Sequence, residues 1–405
     1  MPPSPSGADL ILDLFAGPGG WDEGLRDLGF MARGIDSDPI SCATARAAGH
    51  ERLVADVSSL DPSEFSGAAG LIASPPCQAY SSAGKGLGKQ DKPRVLACAR
   101  ELGEGHDTRA RHRTSCKDDR SLLTVEPLRW AIAIRPRWLA MEQVPAVAEL
   151  WTVFAELLGA HGYACAVGLL SAERFGVPQV RKRAFLIGSL DGPVELPAPT
   201  HRSFDPRRHK PREDELHLPR WRSMAEVLGW GEQPARLRSN ITRSGQAPGG
   251  LCRSLDAPSY TVLSSSSNWR IESQPASTGP RGTRRLPAAC ARHEERRRGE
   301  EPPGGAPAWT TRRPATTLLG DPRITAPGSW PRCGRRAEIV RGRPVRVSVE
   351  QAAVLQGFRH DYPWQGSRSQ RFAQIGNAVP PPVAARVLSE AMRPTLRIEE
   401  ASAGG

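Results

Sequence analysis

The chain of 405 residues carries a formal net charge of +12, with 55 lysines and arginines against 43 acids. That length exceeds what one hydrophobic core sustains, so two domains are expected, and the arginine-weighted excess suits either a polyanionic partner or a basic enzyme from a GC-rich genome. Eight cysteines without a C-x-x-C pair, a start (MPPSPSGADL) lacking basic and apolar leader regions, and no run of ~18 apolar residues argue against a disulfide scaffold or a membrane helix; a soluble, cytoplasmic protein with reduced thiols is expected.

In chain order, apolar runs at 10–15, 31–35, 71–73, 138–142 and 184–188 read as strands. Helical patterns lie between them at 21–28, 39–48, 122–134 and 147–158. This βαβα order predicts an α/β fold with a doubly wound, mostly parallel sheet. From about 191 to 343 the texture turns to Pro, Gly, Arg and Ser, with a β-like piece at 259–263. The expected division is a catalytic, cofactor-binding domain over 1–190 plus 371–405 and a smaller, irregular domain over 191–370. Within the latter, the run RHEERRRGEEPPGG (292–305) reads as a solvated loop. An echo, Pro258-x-x-Thr261-x-Leu263 and Pro314-x-x-Thr317-x-Leu319, fits two similar turn–strand units or chance. Helices are expected again at 349–358 and 382–392, followed by a frayed RIEEASAGG tail.

The segment Asp13-Leu-Phe15-Ala16-Gly17-Pro-Gly19-Gly20 lies between a strand and a helix, where an α/β sheet opens its cofactor crevice. Glycines there let backbone amides approach a ligand. Their spacing departs from G-x-G-x-x-G, so a dinucleotide site and a nicotinamide-dependent oxidoreductase are disfavoured. Asp36 and Ser37 end the next strand, where an acid can accept both ribose hydroxyls, and Asp56 with Val57 can hold an adenine. That order suits an adenosine ligand without a pyrophosphate. Asp36 as a helix cap and Asp56 as a turn former remain the alternatives.

Ser74-Pro75-Pro76-Cys77-Gln78 follows the strand at 71–73, which presents Cys77 on a loop at the carboxyl edge of the sheet. Here the chain resembles the C5-cytosine-specific DNA methyltransferases, whose Pro-Cys-Gln loop it matches. The remaining blocks follow in the family's order: DLFAGPGG, the acidic strand end at Asp36, Asp56, Glu142-Gln143-Val144, Gln179-x-Arg181-x-Arg183 and Gln374-Ile-Gly376-Asn377-Ala378-Val379. Together they span nearly the whole chain.

The resemblance implies a Rossmann-like class I methyltransferase fold, S-adenosylmethionine as cofactor, no metal, and a target-recognition domain at 191–370. It implies that Cys77 adds to C6 of cytosine, because C5 is a poor nucleophile until the ring becomes an enamine. A thiolate can both add and leave, whereas a serine alkoxide is hard to generate near neutral pH. Glu142 would bond N3 and N4 and share a proton at N3. Arg181, supported by Arg183, would hold O2 and orient Glu142, and Gln179 would fix their strand. Phe15, Ala16, Gly17, Gly19, Gly20, Asp36, Ser37, Asp56, Val57, Pro76, Leu123, Asn377, Ala378 and Val379 would surround the cofactor, Asn377 also capping the helix after Pro380. The target base would have to be flipped out of the duplex.

Two departures stand out. The family carries Glu-Asn-Val where this chain has Glu142-Gln143-Val144, and the stretch from Gly84 to Arg120 after the nucleophile is enlarged. Within it, Cys98, His106, His112 and Cys116 fit no common zinc-finger spacing. Tryptophans 221, 230, 269, 309 and 330 read as small-core residues rather than base-stacking platforms. The implied partner is double-stranded DNA, bound by a monomer, with a cognate restriction endonuclease or a phage as possible settings. A tRNA cytosine methyltransferase and a non-catalytic DNA-binding regulator are the rival readings. The long stretch after Arg183 opposes the first, and the joint presence of Cys77, Glu142 and Arg181 opposes the second.

Overall fold

The computed structural model describes residues 10–77, 80, 87–205, 211–229 and 348–403, with the backbone of four short strands between 235 and 316. Its strands are β1 (Ile11–Leu14), β2 (Arg33–Asp36), β3 (Glu51–Val54), β4 (Gly70–Ala73), β5 (Trp138–Gln143), β6 (Ala164–Ser171), β7 (Gln179–Val180), β8 (Lys182–Ser189), β9 (Ala235–Arg238), β10 (Cys252–Ser254), β11 (Arg270–Ser273) and β12 (Ala315–Thr316). The helices are α1 (Gly20–Asp27), α2 (Pro39–Ala47), α3 (Leu87–Gly103), α4 (Arg109–Arg113), α5 (Glu126–Ile134), α6 (Ala148–Ala160), α7 (Met224–Leu228), α8 (Val349–Gln356), α9 (Arg368–Asn377) and α10 (Pro381–Ala403).

A seven-stranded sheet in the order β3-β2-β1-β4-β5-β8-β6 forms the centre, parallel except for β8, which runs against both β5 and β6. The chain winds outward from β1 through β2 to β3, then returns to place β4 on the other side of β1. That reversal opens a crevice at the carboxyl ends of β1 and β4. Strands β1, β4 and β5 are covered on both faces, which is why their sequences are unbroken apolar runs rather than alternating ones. One face carries α3, α5 and α6 through Val95, Leu128, Trp151 and Phe154, and the other carries α1 and α10 through Leu25, Val383 and Val387. Helices α1 and α10 approach closely because Gly24 has no side chain: a Cβ there would lie 2.7 Å from that of Ala384.

Local chemistry starts several of these elements. Asp38 caps α2 by accepting from the amides of Ile40 and Ser41, with Pro39 as the first helical residue. Ser348 with Gln351 and Ser367 with Gln370 form capping boxes at α8 and α9. The helix expected from 122 begins four residues later as α5, after a 3-10 turn over Asp119–Val125. Pro127 has no N–H to return to the preceding turn, so the tighter geometry persists up to it.

Two expectations are corrected, on the tail and on Asn377, and one stretch is filled in. The enlarged stretch after the nucleophile contains α3 and α4, and α3 buries Val95, Cys98, Ala99 and Leu102 at helical spacing. Buried Asp91 ties down the returning chain, accepting from Lys117 N at 2.8 Å, Asp118 N at 3.0 Å and Ser121 Oγ at 2.9 Å. The tail expected to fray instead continues α10 to Ala403, held by Thr395 Oγ1 donating to Asp191 and by an Arg137–Glu399 ion pair. Asn377 does not cap α10. It closes α9 with its side chain exposed, and the Pro380 carbonyl receives the amides of Val383 and Ala384.

Backbone strands β10, β9 and β11 form a three-stranded antiparallel sheet, and β12 pairs with β7. The piece at 259–263, the charged run at 292–305, the first half of the Pro-x-x-Thr-x-Leu echo and tryptophans 230, 269, 309 and 330 lie outside the described residues, and of the second half only the backbone of β12 at Ala315–Thr316 is described. Trp221 stacks edge-on against Phe204 with Arg220 over its ring, a small-core packing. Among the described residues no helix is long and apolar enough to cross a membrane.

Candidate active site

The turn after β1 is shaped by positive φ at Phe15 (59°), Gly17 (54°) and Gly19 (111°). For Phe15 such a backbone is unusual, and it is held by Ala16 N donating to Ile35 O. Asp36, at the carboxyl end of β2, accepts from Gly17 N and from Asp38 N, both at 2.8 Å. It therefore fixes the turn rather than capping a helix. A Cβ on Gly17 would meet nothing within 4 Å, so this side of the turn is open. Gly19 and Gly20 face the opposite way: a Cβ on Gly19 would strike Tyr362 and His50, and one on Gly20 would lie 2.3 Å from Val379 O. The first and last blocks of the chain thus meet backbone to backbone, with Ala378 and Val379 buried at the contact.

Beneath the turn lies an ion pair with no trace in the sequence pattern. Arg52 donates to both oxygens of Asp22, at 3.0 and 2.5 Å, and to Gly17 O. Both partners are buried, and Gly34 leaves the space through which the guanidinium passes. Nearby Asp13 is fully buried with neither carboxyl oxygen hydrogen-bonded. Burial first, and then the Asp22 carboxylate, hold its carboxyl well above the usual range. Asp56 is exposed and accepts from Ser58 N, the turn-forming role considered for it, while Val57 beside it is buried. Ser37 is exposed, and Leu123 is half-buried on the turn before α5.

The loop that carries Cys77 leaves β4 across the crevice from this turn. Ser74 N donates to Leu14 O, and Trp21 Nε1 on α1 donates to Ser74 Oγ at 2.8 Å. Gln143 donates from Nε2 to Pro75 O at 2.6 Å and accepts at Oε1 from Val144 N. The residue that departs from the family pattern thus fastens the Cys77 loop to the end of β5. Trp21, which bonds Ser74, is the contact that motif reading overlooks, since a bonded polar tip cannot be told from a core side chain in sequence.

Glu142 is the last residue but one of β5, and antiparallel pairing with β8 puts Gln143 opposite Ala184, so the arginines before Ala184 arrive at the same edge. Gln179 lies on β7, Arg181 in the break between β7 and β8, and Arg183 on β8. Gln179 is fully buried and donates to Gln356 Oε1 at 2.7 Å, locking β7 to α8. Arg181 is buried and donates to Gly376 O at 2.8 Å, and its Nε has no hydrogen-bond partner. Arg183 Nε lies 3.0 Å from Glu142 Oε1, an ion pair at the buried end of the site. Arg183 is thus the arginine in contact with Glu142, and Arg181 is tied to the Gly376 block.

Burial raises the Glu142 carboxyl above its ordinary range, opposed by Arg183 and Arg181. Burial likewise raises the Cys77 thiol, with Arg183 pulling it down, Glu142 pushing it up and Arg181 pulling it down. Burial also lowers the Arg181 guanidinium to about 9, with Arg183 adding to the effect. The four groups share one electrostatic environment. Cys98, His106, His112 and Cys116 form no metal-type cluster: Cys98 is buried in the core, and His112 pairs with Glu101 at 2.9 Å.

A parallel sheet with one reversed strand, carrying a cysteine loop across the crevice from an open glycine turn, defines a Rossmann-like methyltransferase. The chain belongs to the C-5 cytosine-specific DNA methylase family, which it matches over residues 10–100 and 108–393. It is 24% identical over 401 residues to the type II methyltransferase M1.HphI of Haemophilus parahaemolyticus, covering 94% of this chain and 86% of that protein. Similarity to M.HgiDI of Herpetosiphon aurantiacus, 29% over 195 residues, spans 45% of this chain and 53% of that protein. The fold matches that of the S. pombe Dnmt2 methyltransferase at a TM-score of 0.53 and 15% identity, covering 95% of this chain and 99% of that one.

Proposed function

We propose that the protein transfers a methyl group to C5 of a cytosine flipped out of a specific duplex DNA sequence, through a Cys77 adduct at C6. The observation that carries this reading is the convergence of Cys77, Glu142, Arg181 and Arg183 at one sheet edge, across the crevice from the open side of the Gly17 turn. The turn suits S-adenosylmethionine. Asp13 offers two buried oxygens without partners, Asp36 stands at the strand end for the ribose, and Asp56 with Val57 meets the adenine. Phe15, Ala16, Ser37, Pro76, Leu123, Asn377, Ala378 and Val379 complete the surround.

When bound, the cofactor supplies an electrophilic methyl group. Cys77 Sγ forms the bond to C6 and leaves C5 with enamine character. Arg183 and Arg181 supply the positive potential that opposes the burial of the thiol. Glu142, held toward its protonated form, bonds N3 and shares a proton there as the ring gains electrons. Arg181 and Arg183 hold O2. Once C5 is methylated, loss of its proton and β-elimination break the S–C6 bond and return the electron pair to Cys77.

The catalytic body is proposed to take in residues 348–370 as well as the later helices, because Tyr362 donates to Pro18 O and Gln365 N to Thr44 Oγ1. Residues from 191 to about 347 would read the target. The type II names of the relatives point to a partner endonuclease with the same recognition sequence.

Purified protein should move label from S-adenosylmethionine to duplex DNA, with Cys77→Ser inactive. DNA containing 5-fluorocytosine should trap a covalent adduct through Cys77. Transfer to tRNA but not DNA, or an adduct that survives Cys77→Ala, refutes the reading. Bisulfite sequencing of an expressing host gives the target.

A further inference from the structure

The enlarged stretch after the nucleophile loop reaches across to the turn that follows β3. From α4, Arg109 Nη1 donates to Ser58 O at 3.4 Å and to Glu126 Oε1 at 2.5 Å. The rest of its guanidinium holds Asp107, from Nε at 2.9 Å and Nη2 at 2.8 Å. Glu126, buried at the head of α5, gives its other oxygen to Arg129 Nε at 2.7 Å. Arg129 in turn donates to Val57 O at 3.0 Å and to Leu60 O at 3.1 Å. One buried carboxylate therefore bridges two guanidiniums, and these take up the carbonyls of Val57, Ser58 and Leu60. The carboxylate of the same turn, Asp56, accepts from Ser58 N.

The turn's own bonds, from Ser58 N and Ser59 back to Asp56, close it locally and do not tie it to α4 or α5. Charge-assisted bonds to three of its carbonyls, anchored on a carboxylate out of solvent, restrict it before any ligand arrives. Arg129 and Glu126 belong to the α5 scaffold, whereas Arg109 comes from the inserted stretch. We infer that Arg109 is a positioning residue, by which the insertion braces the 56–60 turn and sets how tightly the adenosine end of the cofactor is held. The inference rests on Asp56 and Val57 being the adenine contacts.

The full-length protein and its Arg109→Ala, Arg109→Lys and Asp56→Ala variants would be titrated calorimetrically with S-adenosylhomocysteine. Methyl transfer would be assayed with cofactor and DNA varied separately. Arg109→Ala should bind the product about tenfold more weakly, with a matching rise in KM for cofactor while kcat and the KM for DNA stay within about twofold. Arg109→Lys should recover part of the loss, keeping the charge but not the fork. Amide exchange should accelerate at 55–60 and stay unchanged in β1 and β4, a local signature that carries the test through Arg109→Lys if the alanine variant folds poorly. Unchanged cofactor affinity, an equal loss in kcat and DNA binding, or exchange that rises throughout the domain overturns the brace. If Asp56→Ala binds as tightly as wild type, the adenine assignment fails and takes the inference with it. If Asp56→Ala loses binding and Arg109→Ala does not, only the brace fails.

Discussion

Glu142 and Arg183 meet at the end of β5, where burial and a guanidinium pull the carboxyl in opposite directions. Glu142→Gln keeps the shape and removes the shareable proton. Its kcat should fall by about 10²-fold or more with S-adenosylhomocysteine affinity unchanged, and comparable turnover in the two proteins would remove Glu142 from the chemistry. Glu173 tests the same physics away from the reaction centre. It is buried with Ser171 Oγ donating to its side-chain oxygens, and burial lifts it from 4.5 to about 7. A folded value above the unfolded one means that the folded state holds an extra proton between them. Its contribution to stability is therefore full below about 4.5 and is lost as pH rises through about 7. Relative to wild type, Glu173→Gln should gain on the order of 2 kcal/mol between pH 5 and pH 8 in urea unfolding. A gap independent of pH would show that Glu173 does not titrate in this window.

The Gly-rich turn and the final helices show how elements far apart in sequence become one surface. Gly20 is needed less for its own φ than for the Val379 carbonyl that occupies the place of its Cβ. Gly20→Ala should destabilise the protein by about 1–3 kcal/mol and weaken cofactor binding together. Wild-type stability in denaturant titration would mean that the two blocks part freely. Helix periodicity made α1, α2, α6, α8 and the start of α10 legible, whereas α9 was not read, because its capping box of Ser367 and Gln370 follows the irregular 357–366 segment and shows only once the backbone is folded. The apolar stripe of α3 was hidden among the charges of 84–120, because a helix with one narrow buried face reads as polar. The edge strand β3 was missed because only Arg52 of its four side chains is buried, and that one is an arginine.

The chain's positive charge adds a field to these contacts, and charge is the property screened by salt. Affinity for duplex DNA should fall at least about tenfold between 50 and 200 mM salt, whereas S-adenosylhomocysteine affinity should change by less than about twofold. Equal responses of the two ligands would place DNA recognition in uncharged contacts. Sequence alone specified the βαβα order, which follows from local periodicity, and the resemblance to the family picked out the Cys77 loop, Glu142 and the block Gln179-x-Arg181-x-Arg183. The pairing of Arg183 with Glu142, the tethering of Arg181 to Gly376, the Arg52–Asp22 support under the glycine turn and the reach of Arg109 to Ser58 were decided by tertiary structure. A guanidinium has a long stem and five donors, and only the packed backbone determines which carbonyl or carboxylate comes within its reach.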